Sequence, residues 1–299
     1  MVMIDDILQL KHRRFMPRGV AILLVLLVGP LVAAHAADSA GSFQALQARL
    51  IEDGFDSARI LTLFASPDVS FEKGGVSAYF MHNEAKLNYK QFTRVWNVSS
   101  AKKYMKEHRQ ALDAAQQTYG VDKEVITAII LVETRLGTYT GKKSVINTLS
   151  TLSAMADEMP RQAIWENLPD NDRRMSRTQF EKKADQKSSW AYRELKAFLI
   201  YTEKEGMDPT AIKGSYAGAM GISQFMPSNI APYGKDGNAD GQVDLFVHAD
   251  AISSIASYLK HYGWKPGISR EKAFKVVYHY NHSKYYVNAI LDVADKLKG

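Results

Sequence analysis

Cysteine is absent from all 299 residues. That excludes disulfides, thiolate metal sites, a cysteine nucleophile and a lipid anchor attached through an N-terminal cysteine. Runs of Lys and Arg with interleaved aromatics are missing too, which argues against nucleic-acid binding. No HExxH occurs. His279 and His282 stand three residues apart without a further His or acidic partner at a recognised spacing, so zinc is rejected. Strand-like alternation is scarce, and no repeat period is found. Charge bias is mild: the net charge is +6, and the first 36 residues hold four Lys or Arg against two Asp. The remainder would favour acidic surfaces without demanding one.

What is present is an ordinary globular composition, 46% hydrophobic and 23% charged, with length enough for one large core or two smaller ones. Lys11, Arg13, Arg14 and Arg18 precede an apolar run over residues 20–33, and Ala34-His35-Ala36 follows as a small-x-small site. This is the pattern of a secretory signal, and the run is short for a membrane span. Export is therefore expected, with residues 1–36 either cleaved or kept as an inner-membrane anchor. The long basic region leaves Met16 as an alternative start.

Beyond the signal, apolar periodicity predicts helices over residues 42–53 and after an Asp56 cap. Others follow from a Ser100 cap to Tyr119, and over 145–156, 190–205, 250–262, 270–278 and 283–298. Residues 69–97 read as extended or irregular. Residues 157–189 carry charges of both signs, Pro160, Pro169 and the polar run 170–174. They read as a surface insertion or lid with a short helix near Trp165. The expected class is mainly α.

Three segments carry chemistry. In GVDKEVITAIILVETRLG (residues 120–137), Asp122 is placed to cap a helix, with Gly120 before it and Gly137 to stop it. Ile126, Ile129 and Ile130 share the face of Glu133 at helical spacing. A carboxyl there loses hydration when ionised, so its pKa rises and it is suited to donate a proton. A core helix whose Glu133 pairs with a base is the alternative. The glycine-rich run 214–228 offers Ser215, Ser223 and Gln224 as uncharged hydrogen-bonding groups for a sugar; close backbone packing is the other reading. Asp236, Asn238 and Asp240 fall at positions one, three and five of an EF-hand-type loop, with Gly241 at six and the carbonyl of Gln242 at seven. Val247 stands where the bidentate Glu belongs, and Asp250 is its replacement in a longer loop. A plain Asp/Asn/Gly turn is the alternative to calcium. Tyr280 and Tyr286, in the aromatic-rich segment 278–286, suit stacking on sugar rings or an ordinary core.

Taken in order, Val132-Glu-Thr-Arg135, the run Gly214-Ser-Tyr-Ala-Gly-Ala-Met-Gly, Gln224-Phe-Met-Pro-Ser228, the calcium-type loop and Tyr280-Asn-His-Ser283 resemble the lytic murein transglycosylase B family, glycoside hydrolase family 103. The resemblance implies a lysozyme-like catalytic core over 119–299 behind an N-terminal helical part over 37–118. It also implies cleavage of the β-1,4 MurNAc-GlcNAc bond of peptidoglycan with formation of a 1,6-anhydro product. Glu133 would serve as acid and then base. Ser215 and Gln224 would hydrogen-bond the sugars, Met220 would pack on them, and Tyr258, Tyr280, Asn281 and Tyr286 would line the cleft, with Tyr89 a weaker member. Asp236, Asn238, Asp240, Gln242 and Asp250 would hold a structural calcium, with no organic cofactor. The expected partners are glycan strands and proteins of wall synthesis or division, met by a periplasmic monomer. Arg161, within 157–189, and Trp190, just after it, are set against the family's aromatic and Arg positions. The chain lacks the long insert many members carry before Tyr280. A non-catalytic murein-binding module and a hydrolytic lysozyme are the competing functions.

Overall fold

An apolar face repeating every three to four residues needs something to bury it, and here other helices do so. The computed structural model describes residues 29–81, 88–168 and 175–298. Residues 1–28 of the signal read over 1–36, and the polar run 170–174, lie outside the described residues. In chain order the helices are α1 (Gly29–Glu52), α2 (Ser57–Ala65), α3 (Lys73–Met81), α4 (Val95–Glu107), α5 (Arg109–Tyr119), α6 (Lys123–Thr134) and α7 (Val145–Ala154). They continue as α8 (Glu158–Glu166), α9 (Arg177–Lys204), α10 (Ile230–Tyr233), α11 (His248–His261), α12 (Arg270–Tyr280) and α13 (Lys284–Lys298). The strands β1 (Lys143–Ser144) and β2 (Lys213–Gly214) pair antiparallel, with Lys143 opposite Gly214. The mainly α expectation is met.

The described chain gathers into two compact units, one of residues 88–145 and 197–298 and one of residues 29–81 and 146–196. The linear division at residue 118 cuts across this grouping, because residues 88–118 belong with Glu133. In the first unit α13 packs on α6, α11 on α5, and α4 on α6. Leu112, Ile126, Ile129, Ile252, Ile255 and Ile290 are each fully buried there, and each contributes about 1.5–3 kcal/mol relative to exposure.

The second unit corrects the reading of residues 157–189 as a surface insertion. Ile164, Leu168, Phe180 and Ala184 from that segment form one buried cluster with Val76, Phe80, Leu152 and Met155. The ring of Trp165 lies 5.1 Å from that of Phe180. The helix begins at Arg177, well before Trp190, because Ser176 and Gln179 make a capping box. The Gln179 N–H donates to Ser176 Oγ at 3.2 Å, and the Ser176 N–H donates to Gln179 Oε1 at 2.8 Å. Residues 69–97 are likewise more regular than expected, since Val76 and Phe80 bury one face of α3.

Two further local differences have clear causes. The helix expected from Ser100 to Tyr119 breaks at His108, whose ring lies 4.2 Å from Tyr104 and stacks 4.2 Å from His248. Asp122 has the backbone of a cap (φ −59°, ψ 125°) but makes no cap hydrogen bond. Its Oδ2 accepts from Lys298 Nζ at 2.6 Å instead. The Lys123 N–H, one of the first-turn donors without an intrahelical acceptor, donates to Gln116 Oε1 at 3.0 Å.

Candidate active site

Every residue of α6 from Val125 to Thr134 is buried, and Glu133 is 1% exposed. A carboxyl so stripped of water favours its protonated form. The chain leaves α6 through three consecutive left-handed residues, Arg135 (φ 49°), Leu136 (φ 63°) and Gly137 (φ 80°). A Cβ on Gly137 would stand 2.6 Å from His248 Cε1, so only glycine fits where that turn passes α11.

Tyrosines close over the acid. Tyr286, fully buried on α13, has its phenol raised well above the usual range by burial first, then by the charge of Glu133. Tyr280 ends α12 and is raised likewise by burial and then by Glu133; its hydroxyl donates to the Ser223 carbonyl. Tyr258 on α11 donates to the His279 carbonyl at 2.8 Å, and its ring lies 5.1 Å from that of Tyr280. Tyr89 meets Tyr286 edge-on at 6.2 Å. The phenols of Tyr258, Tyr280 and Tyr286 therefore stay protonated, as neutral donors, across the working pH range.

The glycine-rich run is a loop in which backbones touch. A Cβ on Gly214 would meet the Ala219 carbonyl oxygen at 2.2 Å, and one on Gly141 would meet the Gly214 oxygen at 2.0 Å. Ser215, 0% exposed, uses its hydroxyl inside this loop, accepting from the Ala217 and Ala219 N–H groups at 3.3 and 3.0 Å. Met220, also 0% exposed, bridges to Gly214 and Phe225. Gln224 sits at φ 51° and donates to the Thr140 and Gly221 carbonyls at 3.2 and 2.8 Å. Its buried Oε1 has no partner among the described residues, and neither has Ser223 Oγ. Asn281, 4% exposed, accepts from the Ser283 N–H at 3.0 Å and leaves its Nδ2 without a partner.

Thus the structure brings Glu133, Tyr280, Tyr286, Tyr258, Tyr89 and Gln224 into one connected region, and it commits the Ser215 hydroxyl and Met220 to holding the loop. Sequence reasoning passed over Phe225, whose ring lies 5.6 and 5.9 Å from Tyr258 and Tyr280. Its place between two motif glycines and Pro227 was the available signal. Arg161 is held within the second unit, donating to Glu181 and Asp185 at 2.8 and 2.6 Å and to the Met155 carbonyl. Trp190 packs against that unit's buried cluster. Their side chains are already engaged in holding that unit together.

The loop 236–244 is organised by its own acids. Asp236 Oδ2 accepts from the Gly241 N–H at 2.8 Å, and Asp240 Oδ1 from the Gln242 N–H at 2.9 Å. Asn238 Nδ2 donates to Asp240 Oδ2 at 2.7 Å. Asp250, fully buried, accepts from the Gly237 and Asp244 N–H groups at 2.9 and 2.7 Å. Its carboxyl is raised by burial, opposed by those two hydrogen bonds and reinforced by the charges of Asp236 and Asp240. Gln242 is exposed at the loop's end. Among the described residues no group of three or more His, Asp or Glu side chains is arranged to hold a metal. The EF-hand-like geometry expected from the spacing is not shown.

A mainly α, lysozyme-like fold presenting one buried acid beneath tyrosines and beside a neutral glycine-rich loop defines the class of the SLT-type lytic transglycosylases. The chain belongs to the transglycosylase SLT domain family, which matches residues 38–271. It is 37% identical over 186 residues to the membrane-bound lytic murein transglycosylase B of Escherichia coli K12, a match over 62% of this chain and 44% of that protein. The chain thus spans less than half the length of that relative. Among solved structures, E. coli lytic transglycosylase Slt35 in complex with calcium is similar with a TM-score of 0.66 at 24% identity, over 90% of this chain and 93% of that one. Pseudomonas aeruginosa SltB3 in complex with NAG-anhNAM-pentapeptide is similar with a TM-score of 0.67 at 20% identity, over 88% of this chain and 80% of that one.

Proposed function

We propose that this protein is a lytic transglycosylase that cleaves the β-1,4 bond between N-acetylmuramic acid and N-acetylglucosamine in peptidoglycan. Glu133 donates its proton to the glycosidic oxygen as the C1–O bond breaks. The resulting carboxylate then takes the proton of the muramoyl 6-hydroxyl as that oxygen bonds to C1, so the product is 1,6-anhydro and no water is consumed. A glycosidase that uses water needs a second carboxylate beside the bond. The observation that carries the reading is where the other buried carboxylates of this unit go. Glu205 Oε2 accepts from the Val243 N–H at 3.0 Å, and Asp250 binds Gly237 and Asp244, so both hold the loop 236–244. Among the described residues Glu133 is left as the single buried acid beneath the tyrosines. Family membership, the named relative and the anhydro-sugar complex of SltB3 support the same chemistry.

The phenols of Tyr258, Tyr280 and Tyr286 with Gln224 and Asn281 supply neutral donors and acceptors, suited to hydroxyl and N-acetyl groups. Ser215 and Met220 shape the loop that carries Gln224. Calcium is the ion for the loop 236–244. Asp236, Asn238, Asp240, the Gln242 carbonyl and Asp250 are hard oxygen donors, and no Lys or Arg among the described residues forms an ion pair with the three carboxylates. Calcium held there by these residues would neutralise that charge and stiffen the loop before α11. The protein works in the periplasm on glycan strands, exported by the signal over residues 1–36. Among the described residues no helix is long and apolar enough to cross a membrane.

Digestion of purified sacculi, read by mass spectrometry, tests the function. Wild type releases anhydro-muropeptides. Reducing-end muramic acid would instead mean a hydrolase, and no release at all would mean a binding module.

A further inference from the structure

The 3-10 turn over Tyr89–Thr93 packs against α13 and leaves a hollow of about 360 Å³ between them. Asn88 and Lys90 line one side, and Tyr285, Asn288 and Asp292 line the other. The last three fall at helical spacing on one face of α13. The floor is apolar, with Ala289 and Tyr89 6% and 7% exposed. Tyr89 is also the ring that lies edge-on to Tyr286, whose phenol senses Glu133. One aromatic ring therefore joins the hollow to the tyrosine cover of the acid.

Its chemistry differs from that of the tyrosine-lined region. The side chains of Asn88, Lys90, Tyr285 and Asn288 have no hydrogen-bond or ion-pair partner among the described residues. Tyr285 is 71% exposed, which is unusual for an aromatic side chain. Asp292 Oδ1 accepts from Arg270 Nη2 at 2.5 Å, which leaves Oδ2 to accept from a ligand. Two amides, one cation, one carboxylate and an aromatic cover suit a ligand with peptide groups and charges of both signs. A neutral sugar would leave the Lys90 charge unpaired.

We propose that this hollow binds the peptide substituent carried by the sugar at the cleavage point. The amides of Asn88 and Asn288 pair with peptide groups, Lys90 takes a carboxylate, Asp292 takes an amine, and Tyr285 covers the chain. The inference rests on the reading of Glu133 as the acid of a peptidoglycan-cleaving enzyme, because that reading places a peptide-bearing sugar nearby.

The test is titration calorimetry in the Glu133→Gln background, with NAG-NAM-pentapeptide, the same disaccharide without peptide, and the free pentapeptide. The peptide-bearing ligand is expected to bind about tenfold more tightly than the bare disaccharide, a margin that two or three surface contacts supply. Lys90→Glu and Tyr285→Ala, both at exposed positions and so compatible with folding, are expected to abolish that margin and the binding of free pentapeptide. Equal affinity for the two disaccharides before mutation, or a margin that survives both substitutions, overturns the proposal. So does an equal loss for both disaccharides, which would make the hollow a sugar subsite. Because turnover plays no part, these outcomes stand apart from the sacculus digestion. An absence of anhydro-muropeptides there overturns the proposed function, whereas loss of the margin alone overturns only the peptide site.

Discussion

Replacing Glu133 by Gln separates chemistry from architecture. The amide has nearly the same shape, and the site is 1% exposed, so the packing of α6 against α13 is retained. What disappears is the group proposed to give a proton to the leaving oxygen and to recover one from the 6-hydroxyl. Positioned proton transfer is worth about 10²–10⁴ in rate. The two transfers are successive, so the observed rate follows the slower one and the factors do not multiply. A fall of about 10³–10⁴ is expected, equivalent to roughly 4–5.5 kcal/mol in the barrier. The assay is anhydro-muropeptide release from sacculi, paired with a thermal melt. The midpoint is expected to shift by less than about 3 °C, because no cavity is opened and the hydrogen bond from the Tyr280 hydroxyl to the Ser223 carbonyl is untouched. A variant that keeps more than a tenth of the activity while folded would refute the reasoning, since some other group would then be moving the proton. Activity lost together with the fold would refute the packing argument instead.

Other expectations follow from the same geometry. Phe180→Ala opens the buried cluster of the second unit and is expected to cost about 3–5 kcal/mol by denaturant unfolding; a cost near zero would restore the surface reading of residues 157–189. Calcium is expected to raise the melting temperature in a concentration-dependent way, with a gain in stability of about 2.7 kcal/mol at a hundred times Kd, and Asp240→Ala to remove the effect; a melt indifferent to EDTA counts against the loop as a cation site. His108 is held below the usual histidine value of 6.5 chiefly by burial, Glu107 opposing, and His248 chiefly by burial, then by the charge of His108. Because both favour the neutral ring when folded, their stability contribution is present above 6.5 and is lost as pH falls through their lowered values. Unfolding from pH 8 to 5 is expected to show that loss, reduced in His108→Gln; a flat profile would contradict it.

Much of the site is written in the chain itself. Ile126, Ile129 and Ile130 share the face of Glu133 by helical period alone, so the dry acid is legible without coordinates, and the motifs from 214 to 228 and 280 to 283 mark its neighbours. Helical period is a local property, set by backbone hydrogen bonds four residues apart. Which partner a polar side chain takes is not local. Asp122 has a cap's backbone yet turns to Lys298, 176 residues away. Ser215 looks like a sugar ligand in sequence, but its hydroxyl is drawn into the turn that Ala217 and Ala219 complete. Charged residues over 157–189 suggested a surface, although Ile164, Leu168 and Phe180 among them need a partner face, and only folding supplies Val76, Phe80 and Leu152. The sequence by itself determined the helices, their dry faces and the acid on one of them. Only the tertiary structure decided which side chains meet, because contacts between residues distant in the chain depend on how the buried faces come together.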